Sequence, residues 1–438
     1  MKVLKFGGTS VGSAQRMRHV AKLICDGHQK IVVLSAMSGT TNTLVEISNL
    51  LYKKKHKAAI EIIDQLLEKY TGVVDELYAT PTYKEEMHDL IQSFMNYLRS
   101  FVKDPFSSVE ERIILAQGEL MSTSMMHLLL KELGVNTVIL QALDYVRTNK
   151  NGEPDTVFIK EKLLDLMKKN PDVDLYLTQG YICKNSDGEI DNLKRGGSDY
   201  TASLVGAAIH AEEIQIWTDI DGMHNNDPRI VANTSPVRFL SFDEAAELAY
   251  FGAKILHPTC ILPAKLNNIP VRLLNTLQPD APGTTISTNI EKGKIKAVAA
   301  KDNITSIKIK SGHMLLATGF LRKIFEIFET YQTPIDMVVT SEVGVSVTID
   351  NPKYLDEIVD DLKKLGAVTV DKDMLIICVA GDFEWDNIGF EANIVYALKD
   401  IPIRMISYGG SNFNVSLLIK ATDKVNALQA LSEHLFNG

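Results

Sequence analysis

The stretch VLKFGGTSVG, residues 3–12, places the apolar residues Val3, Leu4 and Phe6 ahead of a glycine pair and sets one cation, Lys5, among them. A glycine pair at the end of a strand marks a backbone that comes close to something else, and amide donors bared there favour an anion. Gly7, Gly8, Thr9 and Ser10 are therefore read as an anion loop that Lys5 neutralises, the alternative being a plain tight turn before a helix. A Walker loop is excluded, because GxxxxGK[ST] occurs nowhere in the chain, and GxGxxG does not follow the first strand.

Outward from this loop the chain alternates. KVLKFGG (2–8), KIVVLSAM (30–37), NTVILQA (136–142) and EIQIWTD (213–219) read as strands separated by amphipathic helical segments. That order predicts an α/β fold with a mainly parallel sheet sandwiched by helices. Ligands of such sheets bind beyond the carboxyl ends of the strands, where Gly7-Gly8, residues 35–42 and Thr218-Asp219 should converge. A second glycine pair lies in LKRGGSDYTAS (193–203), behind Arg195 and ahead of Ser198 and Asp199. A guanidinium grips a carboxylate with two parallel hydrogen bonds, whereas Asp199 reads equally as a helix cap or a catalytic acid. Residues 56–103 are charged, helical and free of strand signals, as in an inserted helical subdomain. Asn-Gly and Asp-Gly turns at 149–155 and 184–190 predict hairpins, and Ser241-x-x-Glu244 predicts a capped helix start.

The 438 residues suffice for two or three domains, and 45% hydrophobic with 23% charged residues describes an ordinary globular chain. A net charge of -9 argues against a nucleic-acid partner, so any phosphate handled belongs to a small ligand. Cys25, Cys183, Cys260 and Cys378 form no CxxC pair, the histidines show no ligand spacing, and no metal-ligating residues are assigned. The start at Met1 runs directly into a strand pattern and no apolar run nears the ~20 residues of a membrane span, so a cytoplasmic protein without a membrane partner is expected.

After residue 290 the pattern changes to a repeat. A segment beginning at Gly319 and another at Gly389 each read helix, strand, turn, strand; each is preceded by a strand (304–310; 374–380) and followed by a helix (353–365; 424–435). Duplicated βαββαβ units of this size are ferredoxin-like sandwiches. In the first copy Gly319 opens a helix with free amide donors, while Asp336 and Glu342 suit a cationic amine. Arg404 and Asn412 replace these acids in the second copy, which confines the acid pair to the first.

Taken together, KFGGTSV (5–11), GELMS (118–122), RGGSDYTA (195–202), WTDIDG (217–222), DPR (227–229) and FGAKILHP (251–258) appear in the order and approximate spacing of the aspartokinases. The chain thus resembles members of the amino-acid kinase superfamily with C-terminal tandem ACT domains, and most nearly the lysine-inhibited monofunctional class. The resemblance implies a catalytic domain over 1–290, a first ACT domain over 300–372 completed by the C-terminal segment, and a second over 373–438. It implies transfer of the ATP γ-phosphate to the side-chain carboxylate of L-aspartate, at the entry to lysine, threonine and methionine synthesis, with ATP and Mg²⁺ as cofactors.

By the same resemblance Lys5, Gly7, Gly8 and Asp199 are catalytic. Arg195 clamps the substrate α-carboxylate, Glu119 accepts from its α-ammonium, and Thr41, Gly196, Gly197 and Ser198 complete the pocket. The nucleotide lies against Lys5, Gly7, Gly8, Thr9, Ser10, Thr218, Asp219, His224, Asp227, Arg229, Lys254 and Ile255, with His224 standing where the family usually carries an aromatic. Met314, Gly319, Phe320, Leu321, Ile335, Asp336, Ser341 and Glu342 match an effector site for L-lysine, though Ala317 and Pro334 stand where serines are often found. ACT pairing implies a homodimer, extending to a dimer of dimers. Two rivals are an acyl-phosphate kinase acting on glutamate or N-acetylglutamate, and an amino-acid sensor with an inactive kinase half.

Overall fold

The computed structural model describes residues 1–193, 196–253, 257–312 and 318–436. They form two compact units, one built from residues 1–223 and 256–288 and the other from 224–255 and 289–438.

In the first unit, β1 (Lys2–Phe6), β2 (Lys30–Leu34), β3 (Thr137–Leu140), β4 (Leu175–Gln179), β5 (Ile214–Thr218), β6 (Val271–Asn275) and β7 (Thr284–Ser287) lie side by side in the order β7-β6-β5-β1-β2-β4-β3. All neighbours are parallel except the pair β6 and β7. Every residue of β2 is buried, as expected of a β-branched strand covered on both faces. The covering helices include α1 (Ala14–Ile24), α2 (Thr40–Tyr52), α3 (His56–Leu77), α4 (Pro81–Ser100), α5 (Ser108–Glu132) and α6 (Gly197–Ile209). Helices α3 and α4 occupy the segment read as a helical insert. Their apolar residues recur at helical spacing, Ile63, Leu66, Tyr70, Val74 and Leu77 on one and Met87, Ile91, Met95 and Leu98 on the other, and these faces join the common core.

Both predicted hairpins form: Asn149 and Glu153 close one, and the strands Ile182–Lys184 and Ile190–Asn192 flank the other. The strands β4, β6 and β7 escaped the sequence reading. Among the described residues one helix, α5, is long and apolar enough by composition to cross a membrane, which corrects the expectation that no segment nears that length. Its residues from Ile114 to Leu130 are nearly all buried within this unit, the position of a core helix.

The second unit contains α7 (Phe242–Tyr250), which starts with the predicted capping box: the Ser241 hydroxyl accepts from the Glu244 amide and the Glu244 carboxylate accepts from the Ser241 amide. Its segment 224–255, read from sequence as part of the catalytic domain, is tied here by the Val298 amide to the Asn225 carbonyl and by the Asn226 side chain to the Leu428 carbonyl. An antiparallel sheet follows from β8 (Ile295–Lys310), β9 (Val338–Ser341), β10 (Gly344–Ile349), β11 (Ala367–Gly381), β12 (Met405–Ser407) and β13 (Asn414–Lys420), in the order β9-β10-β8-β11-β13-β12. Helices α8 (Phe320–Thr330), α9 (Leu355–Lys363), α10 (Phe390–Ala397) and α11 (Lys424–Phe436) cover it.

Two apolar cores divide this sheet. Ile307, Ile309, Val345 and Val347 pack with α8 and α9, and Val298, Ile377, Val415 and Leu417 pack with α10 and α11. The long strands β8 and β11 serve both cores. Residues 304–310 of β8 pair with β10 and with 367–374 of β11, whereas 295–301 pair with 376–381. The expected completion of the first sandwich by the C-terminal segment is therefore reversed: residues 295–301, which precede the first copy, complete the second, and α11 stays in the second core.

Candidate active site

The segments beyond the strand ends converge as the parallel order requires. The Gly7 amide donates to the Trp217 carbonyl at 3.3 Å, the Ser38 amide to the Gly8 carbonyl at 3.1 Å and the Ser35 amide to the Phe6 carbonyl at 3.2 Å. A Cβ on Gly8 would stand 2.7 Å from the Ala36 carbonyl oxygen, so two backbones touch here because one residue has no side chain. The second loop has the same character, since Gly196 takes a φ of +70° and a Cβ there would overlap the Cys260 Sγ at 1.7 Å.

Between the loops opens a cavity of about 420 Å³, lined by Gly8, Thr9, Ala36, Ser38, Thr41, Asn42, Glu119, Tyr181, Gly197 and Ser198 among others. Next in sequence to the lining residue Ser198, Asp199 places its Oδ1 2.7 Å from the Lys5 Nζ, with both side chains mostly shielded from solvent. A Cβ added to Gly7 would be 3.6 Å from that Nζ, which brings the ammonium to the first glycine loop. Asp199 lies in the first turn of α6, whose N-cap is Gly196, with no side-chain cap bond. The reading of Asp199 as a mere cap gives way to its pairing with Lys5. Ser198 accepts a hydrogen bond from the Ser35 hydroxyl at 2.9 Å, which joins the two rims.

Glu119 projects from α5 into the wall and is 4% exposed. The Ala36 amide donates to its Oε1 at 3.2 Å, while Oε2 is buried with no hydrogen-bond partner among the described residues. Burial pushes its carboxyl up to about 7, against the pull of the Ala36 amide and the Lys5 charge. A buried carboxylate oxygen without a donor is costly unless a ligand supplies one, and a ligand ammonium suits it.

The remaining nucleotide-side candidates fall into separate groups. In the first unit Thr9, Ser10, Thr218 and Asp219 share a small crevice with Arg16 and His19, and the Ser10 and Thr276 hydroxyls are 2.8 Å apart. In the second unit the His224 Nδ1 is 2.8 Å from the Thr234 hydroxyl, and Arg229 forks onto Asp227 through bonds of 2.9 and 2.7 Å. Arg195, Lys254 and Ile255 lie outside the described residues, as does Met314 of the effector set.

Within the effector set, Gly319 takes φ +86° at the N-cap of α8, Phe320 is buried in the first sandwich core, Leu321 is partly exposed and Ile335 packs at the core's margin. Ser341 and Glu342 are exposed at the β9–β10 turn. Asp336 is not an open acid: the Lys301 Nζ lies 2.6 Å from its Oδ1, the Tyr250 hydroxyl donates to it at 2.8 Å, and the same ammonium lies 2.9 Å from Asp350.

The sequence reading missed Tyr181, which lines the cavity with a φ of +67°, because nothing in its spacing sets it apart from any strand-end tyrosine. It also missed Lys69 and Tyr70 of α3. The Lys69 ammonium donates to the Ser38 carbonyl at 2.8 Å, and the Tyr70 hydroxyl is 2.9 Å from that of Thr40.

A parallel sheet whose glycine loops frame an ammonium and a buried acid, in a chain that carries a tandem ferredoxin-like sheet, defines an amino-acid kinase with ACT-type regulatory units. Residues 1–275 match the amino acid kinase family and residues 377–435 the ACT domain. The chain belongs to the aspartokinases. It is 34% identical to aspartokinase 1, chloroplastic, of Arabidopsis thaliana, over 99% of this chain and 80% of that protein. Two solved structures of E. coli aspartokinase III are similar along the whole chain: the complex with aspartate and ADP (R-state), 31% identical with a TM-score of 0.86, covers 100% of both chains. The complex with lysine and aspartate (T-state), 32% identical with a TM-score of 0.79, covers 100% of this chain and 99% of that one.

Proposed function

We propose that this chain transfers the γ-phosphoryl group of ATP to the side-chain carboxylate of L-aspartate, giving 4-phospho-L-aspartate and ADP, and that L-lysine restrains it. The observation that carries the substrate is the buried Oε2 of Glu119 at the wall of the cavity, unpartnered among the described residues. An amino acid brings the ammonium that this oxygen lacks; an N-acylated acid does not.

The attacking carboxylate is already ionised and needs no general base, so the enzyme's work is to hold two anions together. Lys5 neutralises charge on the transferring group, and the amide of Gly8 donates to its oxygens as negative charge accumulates there, the Gly7 amide being held by the Trp217 carbonyl. Asp199 fixes the Lys5 ammonium, which keeps the cation aimed without a reorganisation step. Glu119 orients the substrate by its amine, with Thr41, Ser198 and Arg195 as the remaining contacts. Among the described residues no cluster of His, Cys, Asp and Glu forms a metal cage, which fits an Mg²⁺ that would be held chiefly through the phosphates of ATP and water and would supply neutralising charge.

Regulation is assigned to the first sandwich, where Asp336 is the acid for a cationic effector and Gly319 opens α8 toward an anionic group. The complex of the E. coli relative with lysine and aspartate supports this reading. Homodimer formation through the ACT units is proposed on the apolar groups bared there, Leu321 and Phe325 on α8 and Val338 on the edge strand β9.

Trapping the acyl phosphate with hydroxylamine tests the reaction. Signal is expected with aspartate, and at most a small fraction of it with glutamate or N-acetylglutamate at equal concentration. Equal signal with N-acetylglutamate would overturn the ammonium role of Glu119, and no ADP release with any of the three acids would leave only the sensor reading.

A further inference from the structure

The segment 35–41 forms the floor and rim of the cavity, and most of its ties come from the sheet domain. The Ser38 amide reaches Gly8, Ala36 meets Glu119, Ser35 meets Ser198, and the Ser122 hydroxyl of α5 donates to the Ser35 carbonyl at 2.7 Å. Two ties come from elsewhere. Lys69 and Tyr70, consecutive on α3 of the helical insert, bond to Ser38 and Thr40 on either side of Gly39.

Each tie has a distinct character. Tyr70 is fully buried, and its hydroxyl meets a fully buried threonine, so loss of either partner strands the other in an apolar core. Lys69 lies along the exposed side of α3, where an amphipathic helix needs no lysine for packing, yet its ammonium is 2.8 Å from a main-chain oxygen of the cavity lining. The residue between the two anchored positions, Gly39, is the N-cap of α2 at φ +81° and has no side-chain cap bond. With neither a cap side chain nor a restrictive φ of its own, this turn takes its geometry from what holds its neighbours.

The geometry points to Lys69 and Tyr70 as positioning residues that fix the 38–41 turn, and with it Thr41, for the acidic substrate. The helical insert thereby acts as the outer jaw of the substrate pocket. This rests on the aspartate-kinase reading for its substrate, though the clamp itself does not.

The test uses the full chain as Lys69→Met, Lys69→Arg and Tyr70→Phe. In Lys69→Met, KM for aspartate rises about five- to tenfold, the range of one charged hydrogen bond at a partly exposed site, while KM for ATP stays within about twofold. Lys69→Arg, which keeps a donor of similar reach, restores most of the loss. Tyr70→Phe shifts KM for aspartate in the same direction. Amide exchange of residues 38–42 speeds up in Lys69→Met and Tyr70→Phe, and that readout stands whatever acid the enzyme phosphorylates. Faster exchange with no aspartate turnover in the parent chain would keep the clamp and overturn the substrate. Unchanged exchange, or an equal rise in both KM values, would overturn the clamp.

Discussion

Glu119 is pulled in opposite directions by its surroundings. Burial favours its neutral form and carries the carboxyl to about 7, while the Ala36 amide and Lys5 favour the anion. Between pH 4.5, the ordinary value, and about 7 the folded protein therefore holds a proton that the unfolded chain has released. Stability contributed by this residue is full below pH 4.5 and is lost as pH rises through 7. The ammonium proposed to bind here requires the anion, so kcat/KM for aspartate is expected to fall as pH drops below about 7, approaching tenfold per unit. In Glu119→Gln that limb disappears, and kcat/KM drops about a hundredfold, the value of a buried charged hydrogen bond. A pH profile of the two proteins checks both statements. The approach of Lys5 to the first glycine loop was legible from sequence, because the cation stands two residues ahead of the paired glycines on one strand. Lys69 was not, since a lysine on the polar side of a helix has the same appearance whether or not a carbonyl lies within its reach.

Among the elements, α5 does more than fill the core. It brings Glu119 to the wall and Ser122 to the Ser35 carbonyl, and it approaches the 35–41 segment so closely that a Cβ on Gly118 would lie 2.8 Å from the Ala36 Cβ. Gly118→Val therefore forces the helix and the rim apart, with an expected loss of about 2 kcal/mol in stability and a larger loss in turnover; denaturant titration and hydroxamate assay together measure it. The strands β1, β2, β3 and β5 could be read in advance, since each is an apolar run ended by a break in pattern. The sequence LYLTQ of β4 hid because its Thr178 and Gln179 are polar, yet both are buried, with Thr178 against the Tyr145 hydroxyl and Gln179 bonded to Thr123. Pairing partners of the ACT-like strands were also illegible: the repeat shows which segments are equivalent, but only strand register decides that residues 295–301 serve the second core.

At the scale of the whole molecule, each unit carries its own charge device. In the second, burial raises the Asp336 carboxyl despite Lys301 and Tyr250, and its Oδ2 lacks a hydrogen-bond partner among the described residues. The chain's own lysine thus sits where an effector amine is proposed to bind. Lys301→Met removes the competitor and is expected to lower the lysine concentration for half-inhibition several-fold, as an inhibition curve at fixed aspartate would read. An unchanged curve would remove Asp336 from the effector site. The strand β8, threaded through both sandwich cores, has a further consequence. A shortened descendant of this protein that discarded either lobe would leave the survivor with a severed ribbon and a bare seam, so inheritance must keep or lose the pair together.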